Sequence, residues 1–299
     1  MPRAATTTLA GALVGLSALA LGAVFLGALG AVDGDALAAP PQNSAAAARG
    51  AEDMVQPVSH RASYAMRLAT TRGSSGIVGA GGSMNYTFTN GCDGWTVETR
   101  TDLTMMQAQG GPLETSWDFL SWESKDGSSY RFRVRNTRNQ AVVEAYDGTA
   151  TVGANGGKAI FNLPEGEEKV IDLPAGTLLP THHTQELVRT AMAGGSFLSA
   201  PVFDGSGIKG AYLVTAAIGR AIPPGAPPTV EAPELLSDPA WPMTLAFFSP
   251  DTPNSETPDF EMSLHYHDNG VAENLLQDFG DFALRGILSK LEKLPPPEC

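Results

Sequence analysis

Four of the five histidines fall in two pairs whose spacing could carry chemistry. In "DFEMSLHYHDNG", His265 and His267 lie two apart, which places both on one face of a strand with Glu261 in the same row. Two imidazoles and a carboxylate so arranged could share a metal ion. A polar strand row is more often simply solvated, so exposed sheet surface is the expected reading and no metal centre is assigned. His182 and His183 are adjacent in "LLPTHHTQELVRTAMAGG". On a helix their side chains diverge by about 100° and cannot readily chelate one ion, so packing or capping is expected of them. Asp204, in "VFDGSGI", stands where a strand gives way to a turn, with no partner for acid–base work identifiable. It also occupies the place of a glycine that a G-x-S-x-G nucleophile elbow requires. The chain has no H-E-x-x-H, no C-x-x-C, no EF-hand loop and no phosphate-cradling glycine loop. The expectation is a protein that is not an enzyme and holds no cofactor.

Two residue sets suit binding instead. Arg131, Arg133 and Arg135 form one side of "SYRFRVRN" and could attract an anionic envelope glycan or lipid head, although a solvated strand face is the commoner use. Met105, Trp117, Phe119 and Trp122 are candidate lining for an apolar ligand on the concave side of a curved sheet, against core packing as the plainer role.

The elements that must position these residues are strands. Tyr130, Phe132 and Val134 alternate with the three arginines, and Met84, Tyr86 and Phe88 alternate with Asn85, Thr87 and Thr89. Period-two patterning of this kind marks strands with one face buried and one in water. Asp93-Gly94, Asp126-Gly127, Asp147-Gly148 and Asn269-Gly270 supply hairpin-turn chemistry. An antiparallel all-β protein of more than ten strands is expected. The segment after Pro180 carries helical spacing with Thr181 as its expected N-cap, and Gly194-Gly195 ends it. "VAENLLQDF" is a weaker helix candidate that could also be strand. "AIPPGAPPTVEAPELLSDPAWP" holds too many prolines for a sheet interior and reads as a long surface loop.

Residues 1–38 combine Arg3, a long Ala/Leu/Gly/Val run and Ala36-Leu37-Ala38, the layout of a secretory signal peptide that could also stay as an uncleaved anchor. Residues 39–59 read as a flexible linker and 60–299 as one folded domain. Export would place the protein in an oxidising compartment, and the periplasm is expected. There Cys92 and Cys299, the only cysteines in the chain, are read first as a disulfide, with a free thiol or an intermolecular link as the alternatives. The formal charge of −13 argues against nucleic acid as a partner. A membrane enters only if the leader is retained, and a monomer is expected.

"HRASYAMRL", the segment "GTLLPTHHTQELVRTA" followed by "VFDGS", and the ending "NGVAENLLQDFGDFALRGILSKLEKLPPPEC" together resemble the EipB family of alphaproteobacterial periplasmic cell-envelope-integrity proteins, over about residues 60–299. The resemblance implies a single curled antiparallel sheet, a β-spiral or open barrel-like body with one or two short helices. It also implies a bond between Cys92 and Cys299, expected to tie down the loose end of the spiral. The function it implies is non-enzymatic support of the envelope under stress, through an envelope component or a periplasmic protein partner. A carrier of a lipid or other apolar ligand is the alternative.

Overall fold

The computed structural model describes residues 55–73, 75–225, 230–252, 255–296 and 298–299. The expected signal peptide or anchor, residues 1–38, and most of the expected linker lie outside the described residues.

Fourteen antiparallel strands form one sheet: β1 (His60–Thr71), β2 (Ile77–Asn90), β3 (Gly94–Gln107), β4 (Leu113–Ser124), β5 (Ser129–Arg138), β6 (Ala141–Gly153), β7 (Gly156–Asn162), β8 (Glu168–Leu173), β9 (Phe197–Val202), β10 (Tyr212–Ile218), β11 (Ala240–Phe248), β12 (Phe260–His267), β13 (Ala272–Asp278) and β14 (Phe282–Lys293). Their spatial order is β8-β7-β6-β5-β4-β3-β2-β1-β14-β13-β12-β11-β10-β9. The first and last strands therefore pair at the centre, with His60 opposite Lys293, and two meanders spread outward from that seam. Helix α1 (Pro180–Met192) connects the two free edges, β8 and β9.

The sheet does not close, yet its ends come together. Phe203, just past β9, is fully buried against Phe132 of β5 and Phe161 of β7, with ring centroids 5.6 and 6.0 Å away. Tyr130 and Tyr146 complete this cluster, and their hydroxyls donate to the Asp204 and Gly205 carbonyls at 2.9 and 3.3 Å. Inward aromatic residues from β5, β6 and β7 thus receive a segment from the opposite end of the sheet. Apolar burial of this extent makes curling favourable, because a flat sheet would leave the concave face in water.

Several expectations change here. Asp147-Gly148 is no turn but lies within β6; a Cβ at Gly148 would meet Phe132 Cζ at 2.5 Å, so the glycine makes room for the ring. "VAENLLQDF" is largely strand β13, since its partners β12 and β14 offer ladders on both sides. The proline-rich stretch is not all surface loop: Pro233–Leu236 form a 3-10 turn that buries Leu235 and Leu236, and Pro242 sits within β11 opposite His265. Residues 55–59, at the end of the expected linker, pack onto the folded domain. Val55, Pro57 and Ser59 are buried, and Val58 N–H donates to the Asn269 carbonyl at 3.0 Å.

An internal cavity as the candidate functional site

Strand alternation decides which side chains reach the concave face. On β4, Trp117, Phe119, Ser121 and Glu123 point inward, while Leu120 and Trp122 point outward. Trp117 and Phe119 stack with centroids 5.3 Å apart and line a cavity of about 250 Å³ between the two meanders. Tyr64, Tyr86 and Tyr266 join them, and the first turn of α1 closes the space through Pro180, Thr181 and Thr184. The walls are largely apolar, with a few polar groups, as in small-molecule sites generally.

Helix α1 is held by a residue from a different element. Leu179 is the N-cap, not Thr181, and it supplies no capping side chain. Glu123 on β4 takes that role. Its carboxylate accepts from Thr181 N–H at 2.6 Å and His182 N–H at 3.0 Å, and His182 Nδ1 donates to the same group at 2.6 Å. Free N–H groups and the positive end of the helix dipole both favour an anion there. His182 also meets Trp95 edge-on at 5.3 Å, and its neighbour His183 is buried, so burial pulls the imidazole down to about 4 and leaves it neutral. The two histidines therefore do different jobs, one capping and one packing.

Asp204 lines the cavity beside the aromatic cluster. Burial pushes its carboxyl up to about 6, even though Oδ1 accepts from Ser206 N–H at 2.9 Å and Ser206 Oγ–H at 2.8 Å. A carboxyl whose folded pKa exceeds its ordinary 3.8 holds its proton more tightly when folded. Stability accordingly falls as pH rises from about 4 to about 6, and the loss persists above that range. Asp204→Asn should remove this slope and raise stability at pH 7.5 by roughly 1–2 kcal/mol, read from urea unfolding at pH 4.5 and 7.5. An unchanged slope would show that Asp204 is solvated in the folded chain.

The remaining candidate residues lie elsewhere. Met105 is buried in the core beneath β9–β14 and does not reach the cavity. Trp122 is on the convex face, where the Arg131 guanidinium lies 5.0 Å from its ring, and Arg133 and Arg135 are exposed on that same face. The site proposed from sequence thus divides between two sides of the sheet, with only Trp117 and Phe119 at the cavity.

His265 and His267 do not share a solvated row. His267 is buried at the end of β12, with its Nδ1 donating to the Asp238 carbonyl at 3.0 Å, so it pins the proline-rich segment. His265 remains half-exposed beside Asn274, whose amide lies 3.1 Å from its Nδ1. Among the described residues, no three histidine, cysteine or acidic side chains gather as a metal site.

Cys92 lies in the β2–β3 turn and is bonded to Cys299, with Cα atoms 5.8 Å apart. Its role differs from the one expected. The last strand is no loose end, because β14 is paired on both sides at the centre of the sheet. The tail runs from β14 past the end of β1, where Leu294 N–H donates to the Ser59 carbonyl at 2.9 Å, to the turn that follows β2. The bond therefore clamps the seam between the meanders.

Residues 51–295 match the family model described as EipB-like. The cell envelope integrity protein EipB of Brucella abortus is 30% identical over 251 residues, covering 83% of this chain and 88% of its own length. A crystal structure from Brucella abortus, described as a beta-barrel-like protein of domain of unknown function DUF1849, superposes with a TM-score of 0.73 at 28% identity. That superposition covers 80% of this chain and 99% of the other.

Proposed function

The chain belongs to the EipB-like family, and from that membership we propose that it maintains the cell envelope from the periplasm, without catalysis, by binding an envelope component. The observation that carries this reading is the relationship to a protein named for cell envelope integrity, over most of both chains. Deleting the gene should sensitise cells to detergents and cell-wall antibiotics, measured by plating efficiency, and the wild-type chain should restore growth. Unchanged sensitivity in the deletion strain would refute the proposal.

A specific observation favours a second reading, in which the bound component is an apolar small molecule. The cavity carries aromatic and aliphatic walls and lies between the two halves of the sheet. An apolar space of this size is a natural receptor for an apolar ligand.

A further inference from the structure

We propose that the cavity binds one uncharged amphiphile with an apolar part of about eight to ten carbons and a hydrogen-bond-accepting head; this rests on the apolar-ligand reading. Size comes from volume. An apolar protein cavity of about 150 Å³ takes a benzene ring, so about 250 Å³ suits about ten carbons and not two full acyl chains.

Charge narrows the class further. Among the described residues, no lysine or arginine lines the cavity, and the one carboxylate there is Asp204. His60 cannot readily supply a cation, because burial holds it below its ordinary value and its Nδ1 N–H already donates to the Val58 carbonyl at 2.8 Å. A phosphate or carboxylate head would enter without a counter-charge, which is strongly unfavourable away from water.

The polar head is inferred from unused donors. Tyr64 O–H donates to the Ala272 carbonyl at 2.7 Å and Tyr130 O–H to that of Asp204 at 2.9 Å. Tyr86 also lines the cavity, and its hydroxyl has no hydrogen-bond partner among the described residues. The Trp117 indole N–H is buried and likewise unpartnered. The buried Trp117 N–H is costly when left unpaired, and an acceptor on a bound molecule would satisfy it or the half-buried Tyr86 hydroxyl.

The test is displacement of N-phenyl-1-naphthylamine from the purified chain by 1-alkanols of six to fourteen carbons, fatty acids of matched length at pH 7.5, and a dispersed diacyl phosphatidylglycerol. Affinity for alkanols should rise about fourfold per methylene and flatten near ten carbons. Acids of equal length should bind at least about tenfold more weakly, and the phospholipid should not compete. Tyr86→Phe should weaken decanol several-fold more than it weakens the probe. Acids or phospholipid matching the alkanols, affinity still climbing at fourteen carbons, or no effect of Tyr86→Phe would overturn the proposal while keeping an apolar site. Failure of the probe and every competitor to bind would overturn the apolar-ligand reading itself.

Discussion

Replacing Cys92 with serine should lower the melting temperature by roughly 10 °C. The bond joins residues 207 apart in sequence, and on the chain-entropy model a loop of that size removes about 5 kcal/mol from the unfolded state. Measured values often fall short, so a loss of about 3–5 kcal/mol is expected. Position adds to length. The N-terminal meander meets the C-terminal one along the β1–β14 ladder, and the bond spans that seam. The Cys92 turn is tied in further: Asn90 N–H donates to Ser59 Oγ at 2.8 Å, and Lys125 N–H donates to the Asp93 carbonyl at 3.1 Å. Thermal melts of wild type, Cys92→Ser and reduced wild type would check it. The two altered forms should agree, and a shift under 2 °C would show that the ladder holds the seam unaided.

Glu123→Ala should cost about 2–4 kcal/mol. The substitution strips acceptors from two backbone N–H groups and from His182 Nδ1 in a largely buried setting. It also removes the negative charge that faces the helix N-terminus. Because Thr181 and Thr184 line the cavity, loosening the first turn of α1 should weaken binding there as well as global stability. Hydrogen exchange would localise the effect: amides near residues 181–184 should lose protection before those of β1 and β14. Protection lost evenly across the sheet would contradict a capping role.

The strand content was legible because alternation is local. Arg131, Arg133 and Arg135 against Tyr130, Phe132 and Val134 give the two faces of β5 directly. The same parity separates Trp122 from Trp117 and Phe119, a distinction missed when the three were grouped by aromatic character. It also places Glu123 on the inward row, and a carboxylate among buried residues is the signal that could have revealed the helix cap. What was hidden depends on curvature. The packing of Phe203 onto β5 and β7 joins opposite ends of the sheet, and no local pattern encodes it. The burial of His267 follows from the proline-rich segment folding over the end of β12. The central place of β14 follows from pairing the first strand with the last.

The most direct measurement is detergent survival of a deletion strain carrying either the wild-type chain or Val97→Phe/Ala272→Leu, which adds bulk at two cavity-lining positions. The variant's melting temperature and secreted level should first be matched to wild type. The account predicts that wild type restores survival and that the folded, cavity-filled chain does not. Full rescue by the filled chain would contradict it and place the envelope function on another surface of the molecule.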